Sequence, residues 1–307
     1  MPLNGLLLID KPAGITSFEV VRRVRRALRV KKVGHLGTLD PFATGLLPLA
    51  LGEATKLAQF LLEEPKTYLA TCRLGVETDT QDLTGQITAE SDRLPSPQEI
   101  HRAATRFVGE IEQVPPLYSA LHHQGERLYK LARRGEVVET EPRPVTIHRL
   151  EIKDLALPQV TFVVECSKGT YIRTLAHDLG RALGCGAHLI SLTRLAVGFF
   201  RLEEALPLEV MEKTGNLEEI EARLIPLAQC LPRFQAVQVG REEARLLSQG
   251  RTLPWPEPGP SEGEKVRVVA EGTLVAVAAV RCQGVSQVLA PVRVFHTIKE
   301  SKLAADC

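Results

Sequence analysis

Asp40 lies in a loop whose residue types would let the backbone approach a ligand closely. The segment reads GHLGTLDPFATG from Gly34 to Gly45. Its glycines lack a Cβ, and its single carboxylate has the chemistry of a nucleophile or a base. An Asp-Pro pair is also typical of a helix start, with Asp40 as the N-cap and Pro41 as the first helical residue. The local pattern leaves both interpretations open.

A strongly basic helix is predicted directly before this loop. Its apolar residues follow helical spacing from a cap at Thr16 or Ser17 to about Val30. The other face contains seven basic residues and no acid, namely Arg22, Arg23, Arg25, Arg26, Arg29, Lys31 and Lys32. Such a face is either a solvated surface or a binding site for a polyanion such as nucleic acid.

Arg173 and two tyrosines complete the first set of candidates. Arg173 falls in the first turn of a helix predicted from Ile172 to Leu183, where a cation opposes the helix dipole. A nearby carboxylate would offset that cost, but the pattern does not identify the partner. Tyr68 and Tyr171 are either ordinary half-buried aromatic residues or residues that stack on a base.

The elements that position these residues alternate between strand and helix patterns, which predicts a mixed α/β (α+β) domain. The predicted strands are 5–9, 66–76 and 160–166, and the predicted helices are 16–30, 46–62 and 172–183. Pro48 would break the second helix early.

The character of the chain changes near Phe234. A short helical pattern and a Pro/Gly-rich stretch are followed by strand patterns at 265–270, 273–281 and 286–295. We therefore predict two domains, 1–232 and 233–307, of which the second is small and rich in β-strands.

Composition excludes several classes of protein. The chain has 307 residues, 44% hydrophobic and 24% charged, with a formal net charge of +1, which argues against disorder and against a histone-like polycation. The six cysteines form no C-x-x-C pair, so neither a zinc site nor a disulfide framework is expected. No P-loop, dinucleotide or zinc-protease motif occurs, and we expect no cofactor and no metal. The N-terminus lacks the pattern of a signal peptide, so we expect a cytoplasmic protein without a membrane segment.

Five motifs together resemble the TruB family of tRNA pseudouridine-55 synthases, in the family's order. They are DKPAGITS (10–17), GHLGTLDPFATGLLPLALGEATK (34–56), KTY with LGVETDT (66–80), PPLYSAL (115–121), and GTYIRTLAHDLG with GAHLISLTRL (169–195). One such motif would be weak, but five in order are highly specific. Two positions differ from the family's usual residues: His122 replaces a Lys and Thr193 replaces an Arg, both in regions that lie near RNA in the family.

The resemblance implies a catalytic set. Asp40 would be the catalytic aspartate, and Arg173 would be its ion-pair partner, which would answer the helix-dipole question. Tyr68 would pack on the target uracil and assist removal of the proton from C5. The substrate-binding residues would be Tyr171 and Leu192 in the uracil pocket, His35 near the gap left by the flipped nucleotide, and Arg22, Arg25 and Arg29 on the basic helix.

The resemblance also implies the architecture and the partner. A pseudouridine synthase domain with a central mixed, largely antiparallel sheet flanked by helices would precede a small β-barrel PUA-like RNA-binding domain. Residues 117–146 would form a thumb-like segment over the RNA. The partner would be the T-stem-loop of tRNA, and the enzyme would act as a monomer without an obligatory protein partner.

Pseudouridine forms when uracil leaves C1′, turns, and reattaches through C5, so neither a redox change nor water is required. Asp40 could add to uracil C6, act at C1′, or remove a proton from C2′, and the sequence does not separate these routes. Two other functions remain open: a non-catalytic RNA-binding or tRNA-folding protein, and an N-glycosidase, which usually needs a second carboxylate. A guide-RNA synthase of a multi-protein particle is the nearest relative to exclude, and no basic tail suited to such a particle is present.

Overall fold

The computed structural model describes residues 3–119, 121–123, 125–128, 131, 134, 136, 138, 140–214, 217–255, 261–283 and 286–296. It confirms the mixed α/β class, with a central mixed sheet and flanking helices. The α-helices are α1 Ser17–Leu28, α2 Ala58–Leu61, α3 Pro97–Thr105, α4 Ile172–Ala182, α5 Leu208–Thr214, α6 Leu217–Ala222 and α7 Arg241–Ser248, and 3₁₀ helices span Gly52–Leu57, Leu202–Glu204 and Leu227–Gln229.

The strands build two larger sheets and two small hairpins. They are β1 Gly5–Lys11, β2 Val33–His35, β3 Thr44–Leu51, β4 Lys66–Leu74, β5 Val76–Thr78, β6 Ile87–Glu90, β7 Gly109–Gln113, β8 His122–His123, β9 Glu126–Arg127, β10 Arg143–Ala156, β11 Gln159–Cys166, β12 Ala187–Val197, β13 Phe200–Arg201, β14 Leu206–Pro207, β15 Gln235–Gln238, β16 Leu253–Pro254, β17 Lys265–Ala270, β18 Thr273–Gln283 and β19 Ser286–Val294.

The larger sheet has the order β14-β1-β3-β12-β4-β11-β10-β7, with β2 on β3 and β13 on β12. The pairs β1–β14 and β3–β12 are parallel and the other pairs of this sheet are antiparallel, as expected for a mixed, largely antiparallel sheet. Helices α1 and α4 pack with their apolar residues in one buried cluster with this sheet. The loop with Asp40 connects β2 to β3 and therefore leaves the middle of the sheet.

The predicted helix 46–62 is wrong in its first six residues, because residues 44–51 form strand β3; a 3₁₀ helix and α2 follow over Gly52–Leu61. Seven of the eight residues of β3 are buried, and a strand covered on both faces reads as a continuous apolar run, which periodicity cannot distinguish from a buried helix. Residues 41–43 form a turn, closed by the Ala43 amide donating to the Asp40 carbonyl, 3.1 Å. Asp40 therefore does not cap a following helix.

The basic helix and the helix around Arg173 are confirmed with adjusted ends. Thr16 caps α1 by accepting a hydrogen bond from the Glu19 amide, and Arg29 ends the helix in the left-handed conformation, one residue before the predicted end. Glu19 forms ion pairs with Arg22 and Arg23. This acidic residue lies just before the basic segment 22–32 and was therefore not counted with it. Helix α4 ends close to Gly184, as predicted.

The C-terminal residues form a separate five-stranded sheet of order β15-β17-β18-β19-β16. One apolar cluster joins it to the larger sheet, since Leu8 of β1 and Leu46 of β3 share that cluster with Val277 and Phe295. The division at residue 232 and the PUA-like character of this part stay predictions.

The thumb-like segment 117–146 lies partly outside the described residues. Its described part includes the hairpin β8–β9 and the start of β10. Among the described residues, none of the helices combines the length and the apolar character that crossing a membrane requires.

Gly180 allows α4 to pack closely on β12. An added Cβ would lie 2.3 Å from the Ala187 amide nitrogen and 2.4 Å from the Gly186 carbonyl carbon. Gly180→Ala would raise helix propensity by about 1 kcal/mol, but the backbone contacts cannot yield without moving the helix, and such overpacking costs about 1–3 kcal/mol. We expect a net loss in the free energy of unfolding, measured by chemical denaturation. Gly34→Ala is the control, since a Cβ there has no neighbour within 4 Å; equal stabilities of the two variants would contradict the packing argument.

Candidate active site

A cavity of about 340 Å³ opens beside the Asp40 loop. This volume lies in the range of about 300–1,000 Å³ that is usual for ligand sites. Five residues that the sequence singled out line this cavity: Asp40, Tyr68, Tyr171, Arg173 and Leu192. They come from the β2–β3 loop, β4, the N-terminal end of α4, and β12.

The Asp40 loop is held from below by α1 and β1. The Ser17 hydroxyl accepts a hydrogen bond from the Leu39 amide at 2.8 Å and also contacts the Leu39 carbonyl at 3.1 Å. The fully buried Lys11 ammonium donates to the carbonyls of Pro41 at 3.2 Å and Ala43 at 2.7 Å. The residues on both sides of Asp40 are therefore fixed by side chains from distant elements.

The loop is held from the other side by Arg194 of β12, which is 1% exposed. Its guanidinium donates to the carbonyls of Leu46 at 2.7 Å, Gly37 at 3.1 Å and Thr38 at 3.4 Å. Lys11 and Arg194 together hold both ends of the loop, because their acceptors lie before and after Asp40.

Arg173 brings a buried cation against Asp40. Its side chain is 4% exposed, and Nε lies 3.0 Å from Asp40 Oδ2. Nη1 lies 3.5 Å from the buried carboxylate of Asp82 and donates to the Thr80 carbonyl at 2.9 Å, and Nη2 donates to the Tyr118 carbonyl at 2.9 Å. The guanidinium is thus fixed by backbone carbonyls, and Arg173 Nε makes no hydrogen bond of good geometry. Asp40 keeps 34% of its side chain exposed at the cavity.

Burial raises the pKa of Asp40 above its ordinary value. The Arg173 guanidinium and, more weakly, Lys11 lower the pKa of Asp40, while the Asp82 carboxylate raises it further. The ion pair with Arg173 favours the ionised form of Asp40, but desolvation is the larger cause, so the pKa of Asp40 is raised on balance.

The aromatic walls of the cavity are apolar at their faces and polar at their tips. Tyr68 is 9% exposed, and burial raises the pKa of its phenol, although the positive charge of Arg194 opposes this shift. Burial also raises the pKa of Tyr171. Leu192 adds an apolar contact from β12. A flat ring of the size of a nucleobase fits such walls by stacking.

Two lysines beside the cavity are desolvated. Burial lowers the pKa of Lys11 to about 8, opposed by Asp40, and lowers the pKa of Lys66 to about 8, with Arg194 contributing in the same direction. Lys66 lines the cavity and donates to the carbonyls of Leu62 and Glu64, each at 2.6 Å.

The other predicted binding residues do not line this cavity. His35 is half-buried in β2, opposite Leu49 of β3. Arg22, Arg25 and Arg29 instead line a separate shallow groove on α1 that also includes Arg26, Val30 and Lys31. Arg22 is paired with Glu19, whereas Arg25 and Arg29 have no carboxylate within ion-pair distance among the described residues.

Sequence reasoning missed three residues that shape the site: Lys11, Asp82 and Arg194. Lys11 and Arg194 lie within quoted motifs, but neither was assigned a role. Asp82 lies two residues beyond the quoted motif LGVETDT (74–80) and was assigned no role. Its carboxylate accepts hydrogen bonds from Thr80 and Thr84 and faces Arg173. The sequence signal that could have identified Asp82 is an acidic residue placed between Thr80 and Thr84. Within the described ranges, no group of three or more His, Cys, Asp or Glu side chains is arranged to hold a metal ion.

Two family models match the chain. The model described as "TruB family pseudouridylate synthase (N terminal domain)" matches residues 25–172, and the "tRNA pseudouridylate synthase B C-terminal domain" matches residues 173–231. Similar curated proteins include the tRNA pseudouridine synthase B of Burkholderia pseudomallei strain 668, which is 47% identical over 96% of this chain and 98% of its own length. The tRNA pseudouridine synthase B of Ralstonia nicotianae is 46% identical over 96% of this chain and 95% of its own length.

Solved structures agree in fold. An H/ACA RNP bound to a substrate RNA containing 2′-deoxyuridine aligns with a TM-score of 0.74 and 25% identity over 97% of this chain and 86% of that chain. A Cbf5-Nop10-Gar1 complex aligns with a TM-score of 0.74 and 27% identity over 95% of this chain and 85% of that chain. Sequence models, relatives and fold therefore point the same way, and the chain belongs to the TruB family of pseudouridine synthases, which are isomerases.

Proposed function

We propose that this protein isomerises uridine 55 in the T-loop of tRNA to pseudouridine. The observation that supports this most directly is the Asp40 carboxylate at the cavity, 3.0 Å from the buried Arg173 guanidinium. The related tRNA pseudouridine synthases B bear the name of the same activity. Incubation with an unmodified tRNA transcript, followed by mapping of pseudouridine by position, tests the proposal; product at another position, or none, contradicts it.

Asp40 is the reacting carboxylate in this proposal. It adds to uracil C6, attacks C1′, or removes the C2′ proton, and each route requires the ionised form. The electron pair of the N1–C1′ bond goes to the base, the base turns, and C5 bonds to C1′. The C5 proton is then lost and N1 gains one, so that no atom is added or removed overall. Tyr68 packs on the uracil and assists removal of the C5 proton.

The charge around the cavity suits a base that leaves with negative charge. Four cations surround the Asp40 loop and the cavity, Lys11, Lys66, Arg173 and Arg194, against the two carboxylates Asp40 and Asp82. Fixed charges in a site of low dielectric constant stabilise developing charge without reorganising. Tyr171 and Leu192 complete the walls that hold the flipped base, whose unstacking costs a few kcal/mol.

The RNA backbone is recognised outside the cavity. The groove on α1 brings Arg22, Arg25 and Arg29 to one exposed surface, and His35 ends β2, before the Asp40 loop. Tyr118, which belongs to the thumb-like segment 117–146, lines the cavity. These surfaces would bind a folded T-stem-loop.

The second carboxylate near the cavity, Asp82, gives little support to the N-glycosidase alternative. Asp82 is 5% exposed in its side chain and accepts hydrogen bonds from Thr80 and Thr84, so it is engaged away from the cavity. Assaying free uracil against isomerised product separates the two activities, and binding without either product would indicate an RNA-binding protein.

We extend the proposal to the state in which the protein acts. It would act as a monomer in the cytoplasm without an obligatory protein partner. Residues 233–307 would add RNA binding as a PUA-like domain and would not take part in the chemistry, which residues 1–232 perform.

Asp40→Asn tests the catalytic role. The change keeps size and removes the charge and the reacting oxygen, so we expect the single-turnover release of tritium from C5-labelled uridine to fall by at least about 1,000-fold. Because burial already disfavours the Asp40 carboxylate, and because Asp82 still faces the Arg173 guanidinium in the variant, the free energy of unfolding should change by less than about 1 kcal/mol. Binding of tRNA should persist.

The matched control is Asp154→Asn on the exposed part of β10, which should keep full activity. Mass spectrometry excludes deamidation of the variant back to Asp. Substantial tritium release by folded Asp40→Asn protein would rule out the mechanism.

The raised pKa of Asp40 predicts an acid limb in the rate. Since the reaction needs the carboxylate, the single-turnover rate should fall as pH decreases through a midpoint above the ordinary carboxyl value of about 3.9. Protonation of a group with a raised folded-state pKa favours the folded form, so this limb should appear without acid unfolding through Asp40. Stopped assays with a parallel circular dichroism titration measure both, and a midpoint at or below the ordinary value would contradict the expectation.

The basic groove predicts a graded dependence on salt. Arg25→Ala and Arg29→Ala should each reduce the slope of log affinity for tRNA against log salt by about 0.7–0.9, the value for one phosphate contact. Arg22→Ala should change it less, because Glu19 already neutralises Arg22. Filter binding over a salt series measures the slopes, with Arg93→Ala, paired with Glu99 at a distant surface, as the control. Equal slopes for all four variants and the wild type would mean that the groove is only a solvated surface.

A further inference from the structure

Arg194 occupies a position where the strand pattern calls for an apolar side chain. Successive inward residues of β12 are Leu192, Arg194 and Ala196, and all three are buried. No carboxylate lies within ion-pair distance of Arg194 in the described part of the chain. Burying a cation without a counter-ion costs free energy unless its N–H groups are hydrogen-bonded. The hydrogen-bond partners of Arg194 therefore indicate why this position is an arginine.

The Arg194 side chain contacts the segments that form the walls of the cavity. Three of its donors reach the carbonyls of Gly37, Thr38 and Leu46, which bracket Asp40. The guanidinium also lies close enough to the phenol of Tyr68 to oppose the rise in its pKa that burial causes. One planar group thus binds the loop of the reacting carboxylate and lies beside the aromatic wall.

The register of the sheet places Arg194 between the same two features. Its Cα is paired with Tyr68 in β4 on one side and with Gly45 in β3 on the other. Gly45 has a φ of 97°, and a Cβ there would lie 2.5 Å from the Arg194 carbonyl oxygen. The backbones approach so closely that the end of the Asp40 loop has no freedom to shift along β12.

From this geometry we propose that Arg194 is a positioning residue, which sets the spacing between the Asp40 loop and Tyr68. The inference rests on the proposed function for its kinetic part. Its guanidinium is planar and rigid, so it can bind three carbonyls in a fixed geometry beside Tyr68, which the ammonium of a lysine cannot do. A misplacement of about 1 Å in such a site costs about 100-fold in rate.

The test compares Arg194→Met and Arg194→Lys with a matched control. Arg267→Met removes another arginine that is satisfied by backbone carbonyls, those of Phe234 and Ala228, far from the cavity. At saturating enzyme and below the melting temperature, Arg194→Met should lower the single-turnover rate by about 100-fold with less than a threefold change in the Kd for tRNA. Arg194→Lys should lie between Arg194→Met and the wild type, and Arg267→Met should lose stability without losing rate.

Hydrogen exchange in the free protein provides a readout independent of activity. Amides of residues 37–46 should exchange faster in Arg194→Met than in the wild type, while those of β18 should not change; Arg267→Met should leave 37–46 unaffected. An inactive wild type with this exchange pattern would refute the proposed function and keep the positioning role. Unchanged exchange in 37–46, or a rate loss equal to that of Arg267→Met, would overturn the inference.

Discussion

Arg173 places a guanidinium in the interior, 4% exposed, between the carboxylates of Asp40 and Asp82. Removing the arginine would leave both carboxylates without their shared partner, and loss of such a partner from a buried ion pair costs about 3–5 kcal/mol. The arrangement therefore requires α4, the Asp40 loop and the turn after β5 to meet at one point. The cation also opposes the rise in the pKa of Asp40 that burial causes. The contact between Arg173 and Asp40 therefore both stabilises the fold and favours the ionised form of the reacting carboxylate.

The sheet provides the frame in which this contact is possible. Strand β12 runs between β3 and β4, so residues from three distant parts of the sequence lie side by side. The loop of Asp40 leaves the sheet where Gly45 crosses close to β12, and lysine and arginine side chains bind its carbonyls from two directions. A loop rich in glycine acquires a single conformation because buried cations satisfy its carbonyl groups.

Sequence reasoning predicted local features well and non-local ones poorly. The helices around Val24 and Leu175 and the strand at Phe162 follow from periodicity, and the motifs pointed to the residues that line the cavity. Strand β3 was mistaken for a helix because burial on both faces removes the alternation that identifies a strand. Asp82 and Arg194 were missed because their importance arises from partners about 90 to 150 residues away, which no local pattern contains.

The distance in sequence between Arg194 and the Asp40 loop also affects biosynthesis. During translation the loop emerges early, but the side chain that binds the carbonyls of Gly37 and Leu46 follows 157 and 148 residues later. Strand β1 likewise cannot pair with its parallel neighbour β14 until Leu206 has been synthesised. Domains tend to fold as units during synthesis, and here the first unit cannot close until about two thirds of the chain has left the ribosome. The nascent protein therefore reaches a competent site only late, after the sheet has recruited its last central strand.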